Sequence, residues 1–225
     1  MAKTELDNKK YIVDRLLATK REGMDGLVEH MEDIGFFEAP CSGGNHLSCK
    51  YGLVHHTRHV MELAEKVGLA LCGAAEYNKI HDSVMIAAAL HDLGKCGQFD
   101  KPYYVPNMIK DGRPTAKNPE QKYKQSESKP YEINKDLQHV DHCIRSVIIA
   151  TLYIDLTEDE QTAILYHDGL YGALRYEVTG HETPLMLIIH WADMWASRVV
   201  EAKVLADAGA EAGQDAAAQT LQEGA

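Results

Sequence analysis

The chain has 225 residues, of which 45% are hydrophobic and 25% charged, and its formal net charge is −11. That length holds one well-packed domain and would cramp two, and the acidic balance disfavours duplex DNA as a partner. No run of about 18 apolar residues is present to span a membrane, and charges interrupt the opening stretch MAKTELDNKKYIVDRLL, leaving no signal-peptide core; a cytoplasmic protein without a membrane partner is expected.

Residues 5–34 read as helix, with Leu6, Ile12, Val13, Leu16 and Leu17 on one face, followed by Leu27, Val28, Met31 and Ile34. Gly23 and Gly26 split this stretch into two helices. GFFEAPCSGGNHLSCKYG, 35–52, is a loop. A helix over 53–72 follows, with Val60, Leu63, Ala64, Val67 and Leu71 at helical spacing. GAAEYN connects it to a second helix over 79–92, whose VMIAAA core ends in ALHDLGKCG.

The stretch 98–137 differs from the rest: it holds five of the seven prolines and eight Lys or Arg against six Asp or Glu. Its MIKDGRPT contains an Asp-Gly turn, which predicts a short β-hairpin. Long loops inside compact domains tend to be functional or disordered, so this insertion is expected to act as a lid over a site, with a mobile insertion as the alternative. Helices resume at 138–153, at 158–167, where Thr157 and Glu160 spell a capping box, and at 183–206. The Ala- and Gly-rich remainder, 207–225, reads as a frayed helix or disordered tail. The expected fold class is all-α, one domain over 1–206 with 98–137 inserted.

The five cysteines, at 41, 49, 72, 96 and 143, form no CxxC pair, and their odd number argues against a disulfide framework or thiolate-held structural zinc. The 12 histidines are more informative. His56, His91, His142 and His167, with Asp92 and Asp193, sit on or beside five separate helices, in GLVHHT, ALHDLGK, HCIRSVII, AILYHDG and IIHWADMWAS. A carboxylate at the end of a buried helix needs a partner. Imidazoles gathered with carboxylates suit a borderline or hard divalent metal such as zinc, manganese or iron.

The order H…HD…D, with HDLGK at its centre, resembles the HD-domain superfamily of metal-dependent phosphohydrolases, which are helical bundles. FFEAPCSGGNHLSCKYGLVHHTRHV is similar to the segment leading to the first ligand in phage and bacterial HD hydrolases and in the HD domain of 3′–5′ exoribonucleases, and the resemblance covers roughly 35–200. It implies His56 as first metal ligand, with His55 and His59 competing, then the pair His91 and Asp92, and a closing Asp193. His167–Asp168 also spells HD but lacks the following LGK. Members with two metals add two histidines; here these fall on His142, with His139 as rival, and on His167, and Asp92 then bridges the ions. For His142 and His167 the alternatives are substrate contact or satisfied core histidines.

The resemblance further implies one or two divalent ions, among manganese, iron, zinc, cobalt, nickel and magnesium. Lys95 would pair with Asp92 or a substrate phosphate, His46 and Arg145 would contact substrate, and His190 would orient Asp193. Cys41, Tyr51 and His55 depart from the family pattern and leave the substrate pocket open. The implied activity is hydrolysis of a phosphomonoester or phosphodiester of a nucleotide or short oligonucleotide by activated water, with Asp92 and Lys95 as catalytic residues. An HD-fold di-iron oxygenase and a non-catalytic nucleotide-binding module are the alternatives.

Overall fold

The structure, a computed structural model, describes residues 1–114 and 119–202. It is 56% helix and 8% strand, a mainly helical architecture. Two short helices open the chain, α1 (Lys3–Ala18) and α2 (Met24–Asp33), with the left-handed Gly23 at the start of the second. Ile12, Leu16, Leu27 and Met31 are buried as their spacing predicts, whereas Leu6 and Leu17 stay about half exposed.

The two helices expected over 53–72 and 79–92 form one element, α3 (Gly52–Leu90), bent at Gly73 where the backbone turns to φ 73° and ψ 158°. The expected connection is therefore a kink. Leu71, placed on the buried face by its spacing, is 61% exposed just before that kink. Beyond it, every residue from Val84 to Leu90 is completely buried. α3 packs most extensively against α7 (Pro184–Trp195) and also against α1 and α5 (Glu158–Leu165).

His91 and Asp92 follow α3 directly and lead into a 3₁₀ turn, Leu93–Cys96. The glycine of HDLGK has a packing cause. A Cβ on Gly94 would lie 2.2 Å from the His142 carbonyl oxygen and 2.9 Å from the Arg145 Cβ, so only glycine lets α4 (His142–Ala150) approach this turn. The Gly94 N–H donates to Ser146 Oγ at 2.8 Å, and that hydroxyl donates to the His91 carbonyl at 2.8 Å. The HD turn and α4 are thereby fixed to each other.

α4 begins at His142 rather than 138, because Asp141 caps it by accepting the Cys143 N–H at 2.9 Å. α5 has the expected capping box between Thr157 and Glu160. A 3₁₀ turn (Gly169–Tyr171) and a single helical turn, α6 (Arg175–Val178), lead to α7, which Thr183 caps. α7 runs on into a π-helical turn over Ala196–Val200. The parts of the expected 183–206 helix beyond 202, and the tail 207–225, lie outside the described residues.

The insertion is a long antiparallel ribbon. β1 (Tyr104–Pro106) pairs with β4 (Tyr131–Ile133), and β2 (Met108–Asp111) with β3 (Lys122–Gln125). The ladder is interrupted at Asn107, whose N–H reaches the Pro130 carbonyl while its own carbonyl accepts from Ser126, both at 2.9 Å. The Asp-Gly pair is not the hairpin's two-residue turn: β2 ends at Asp111, and β3 starts only at Lys122. The ribbon rests on the loop carrying His46, with the Tyr131 N–H donating to the Gly43 carbonyl at 3.1 Å. Among the described residues no helix is long and apolar enough to cross a membrane.

Candidate metal centre

Four helical elements deliver their side chains to one point. α3 supplies His56 from its first turns and is followed directly by His91 and Asp92; α4 contributes His142, the turn after α5 contributes His167, and α7 contributes Asp193. The two oxygens of Asp92 face different pairs of rings. Oδ2 lies 3.4 Å from His91 Nε2 and 3.6 Å from His56 Nε2, and His56 Nε2 is in turn 3.1 Å from Asp193 Oδ1. Oδ1 lies 3.3 Å from His142 Nε2 and 3.5 Å from His167 Nε2.

The ring orientations follow from backbone partners. His91 Nδ1 donates to the Ala88 carbonyl at 2.8 Å, and His167 Nδ1 to the Ile164 carbonyl at 2.9 Å. A carbonyl only accepts, so each Nδ1 carries a proton and Nε2 is the atom left to face the centre. His56 does the same through Nδ1, which donates to Glu201 Oε1 at 2.9 Å. The Nε2 atoms of His56 and His91 are 3.3 Å apart. Two nitrogens bound at about 2.0–2.1 Å to one tetrahedral ion stand about 3.3 Å apart.

Asp92 is 1% exposed, and among the described residues its Oδ1 has no hydrogen-bond donor. Leaving a buried carboxylate oxygen unsatisfied costs several kcal/mol, whereas a cation between Oδ1 and the two Nε2 lone pairs satisfies all three at once. The donor set therefore fits a divalent metal.

The charges agree with this. Burial opposes ionisation of Asp92, but Lys95, whose Nζ lies 2.6 Å from Oδ2, and the surrounding imidazoles hold its pKa well below the usual carboxylate range. Burial also opposes charging of Lys95, yet Asp92 holds its pKa well above the ordinary lysine value. For Asp193 the same contest between burial and the hydrogen bond to His56 ends with the carboxylate ionised. Burial pushes down the His91 pKa and keeps that ring neutral. In His56 burial is overridden by the Cys41 sulfur and by hydrogen bonds to Asp193 and Glu201, raising the pKa to about 10. In His142 burial is overridden by Asp92 and Cys143, raising it to about 9. Protons on these rings balance the carboxylates where a metal would otherwise do so.

The rivals named from the sequence separate clearly. His55 turns to α1, where the Asn8 side-chain amide donates to its Nδ1 at 2.8 Å. His139 is exposed and lines a separate cavity with Tyr103, Ile133 and Leu137. His59 stands beside the centre without joining it, 3.1 Å from Glu201 Oε1. His190 does not orient Asp193: its Nδ1 donates to the His167 backbone carbonyl at 2.7 Å. Gly169, at φ 52°, makes room for that ring, since a Cβ there would sit 2.5 Å from it.

His46 and Lys95 line a cavity of about 600 Å³ that opens onto the centre, together with Asn45, Tyr104, Tyr171 and Arg198. Arg145 is not among its walls. Its guanidinium is buried and donates to Gln98 Oε1 and to the Gln138 carbonyl, each at 3.0 Å, so it ties together the two ends of the insertion rather than meeting substrate.

Glu201 is a member that the sequence did not reveal. Completely buried, its carboxylate holds His46, His56 and His59 simultaneously. In an ideal helix Glu201 lies eight residues beyond Asp193, about 80° away around the axis. The intervening π-helical turn takes in an extra residue and swings it back to the same side. Asp168 is the second: its Oδ1 lies 3.7 Å from His167 Nε2 and its Oδ2 3.8 Å from His142 Nε2. Comparison with known protein families, with curated proteins and with solved structures finds no match to this chain.

Proposed function

We propose that the chain is a metal-dependent phosphohydrolase of the HD-domain type, with two divalent ions held by His56, His91, Asp92, His142, His167 and Asp193. The observation that carries this is the division of Asp92: each oxygen of one buried carboxylate faces its own pair of imidazoles, and Oδ1 has no other partner. Divalent ions in such a site lower the pKa of a coordinated water to about 7 and neutralise phosphoryl oxygens.

The chain's own residues do the rest. Asp92 is held ionised by Lys95, so its two oxygens are available to both sites. Lys95 also lines the cavity, where its ammonium offers a fixed positive charge to a phosphate. His46, tethered by Glu201, lines the same cavity. At the rim the exposed ring of Tyr171, with the Arg198 guanidinium 4.7 Å from its centre, offers a stacking face for a nucleobase. A cavity of about 600 Å³ suits a small phosphorylated molecule of nucleotide size.

The test is hydrolysis by protein purified without chelator and supplied in turn with manganese, zinc, iron or cobalt. Aryl phosphomonoesters and diesters, nucleotides and short oligonucleotides form the panel. Metal-dependent phosphate or nucleotide release, abolished by chelation and restored by metal, is expected. Metal-loaded protein that cleaves none of these, or that consumes oxygen with iron bound, would overturn the proposal in favour of a binding module or an oxygenase.

A further inference from the structure

The two halves of the centre do not present the same chemistry. Around His56 and His91 the atoms gathered with Asp92 are nitrogens and carboxylate oxygens; the Cys41 sulfur groups with His46 and His56 but not with His91 and Asp92. Around His142 and His167 a sulfur joins them. Cys143 is 3% exposed, and its Sγ lies 3.6 Å from His142 Nε2 and 3.6 Å from Asp168 Oδ2. His142, Cys143, His167 and Asp168 each offer an atom within 4.8 Å of the others. Asp92 Oδ1, buried and without a hydrogen-bond donor, is directed at the same two rings.

These separations are those of ligands sharing an ion. With metal–sulfur at about 2.3 Å and metal–nitrogen at about 2.0–2.1 Å, a tetrahedral angle puts sulfur and nitrogen about 3.6 Å apart. We infer that the site at His142 and His167 is completed by the Cys143 thiolate and the Asp168 carboxylate, and that it takes a thiophilic borderline cation such as zinc, iron(II) or cobalt(II). This rests on the metal-centre proposal above and adds to it that the two sites are chemically unequal. The site at His56 and His91, built from nitrogen and oxygen donors, accepts manganese equally well, whereas a thiolate selects against magnesium and manganese. On binding, the Cys143 thiol gives its proton to solvent and the sulfur lone pair forms the bond to the ion.

Local structure explains how two chain neighbours reach one ion. Asp141 caps α4 by accepting the Cys143 N–H, which fixes Cys143 in the first turn with its sulfur against the His142 ring. Asp168 follows His167 in the turn after α5, where Gly169 N–H bonds to the Tyr166 carbonyl and bends the chain back. Asp168 is about one-third exposed and lines the cavity, so it is the ligand of this site closest to entering substrate.

The test is anaerobic titration of the reduced, metal-stripped full chain with cobalt(II), followed by absorption. Two equivalents should bind, one of them bringing a near-ultraviolet thiolate-to-cobalt charge-transfer band. Cys143→Ser should lose that band and keep the other equivalent, and Asp168→Asn should keep the band while weakening that site by about 10- to 100-fold. Circular dichroism establishes that both variants are folded. Two equivalents bound without the band would overturn the role of Cys143 while leaving the metal-centre proposal standing. A band that survives Cys143→Ser, and so belongs to another thiol such as Cys41, would overturn it equally. A wild-type chain that binds no cobalt would overturn both.

Discussion

Two of the carboxylates buried among the described residues, Glu160 and Asp92, are treated in opposite ways. Glu160, completely buried, has every need met: Oε1 accepts from Arg21 at 2.7 Å and Ser83 at 2.8 Å, and Oε2 accepts from Arg21 and the Thr157 N–H, both at 2.9 Å. Asp92, equally buried, has Lys95 on one oxygen and no donor on the other, with four imidazole nitrogens arranged around it. Burial does not distinguish these two acids; satisfaction does. Glu160 closes its own network, fastening α5 to the turn after α1 and to α3. Asp92 leaves its network open for something the chain does not supply.

That contrast can be broken most severely at Asp92. Asp92→Asn keeps the shape and removes the charge both sites share, so hydrolysis should fall by at least about 10³-fold, roughly 4 kcal/mol of transition-state stabilisation. Far-ultraviolet circular dichroism should be unchanged. Steady-state kinetics on the best substrate of the panel measures this, and near-normal turnover would place the chemistry elsewhere.

Glu160→Gln should do the reverse, leaving bound metal and turnover intact while costing about 3 kcal/mol of stability, because a charged pair with a buried member is broken. Denaturant unfolding of wild type and variant checks it. The pH dependence has a definite sign. Burial raises the Glu160 pKa, but Arg21, the Thr157 N–H and Ser83 bring it below its ordinary value of 4.5. A folded pKa below the unfolded one means the contribution is fully present above about 4.5 and is lost as pH falls through the folded value. The gap between wild type and Glu160→Gln should therefore be widest at neutral pH and close in acid; a gap that widened in acid would contradict the assignment.

Chelation sharpens the same contrast. Saturating metal at about 100-fold its dissociation constant adds about 2.7 kcal/mol to stability for each ion bound. Chelator should remove this from wild type and from Glu160→Gln alike, and remove nothing from Asp92→Asn, as thermal melts with and without chelator would show. The smallest effect belongs to Glu201→Gln, which leaves every ligand in place but weakens the anchor of His56. Metal affinity should drop by about 10- to 100-fold, read by competition with a chromophoric chelator.

What the sequence made legible is the order and flanks of the candidate ligands. His56, His91, Asp92, His142, His167 and Asp193 converge because each sits at the end or opening of a helix whose apolar face fixes it, and helical spacing is visible along a chain. His142 prevails over His139 because Asp141 caps the helix, and everything before it is outside the helix. Glu201 was hidden by a π-helical turn, which no period of 3.6 anticipates. Cys143 and Asp168 were hidden by adjacency, since residues next to ligands are expected to point away from them. The role of Arg145 depends on Gln98, 47 positions away in the chain, a contact made by the insertion's closure and by no local pattern.

Metal stoichiometry tests the central claim most directly. Wild type and Asp92→Asn, each stripped, reloaded with cobalt(II) or zinc and freed of loose ions, are compared by elemental analysis. Two ions per chain in wild type, with most of both lost from Asp92→Asn, is the predicted result. A wild-type chain that retains no metal, or an Asp92→Asn chain that retains as much as wild type, would contradict the account.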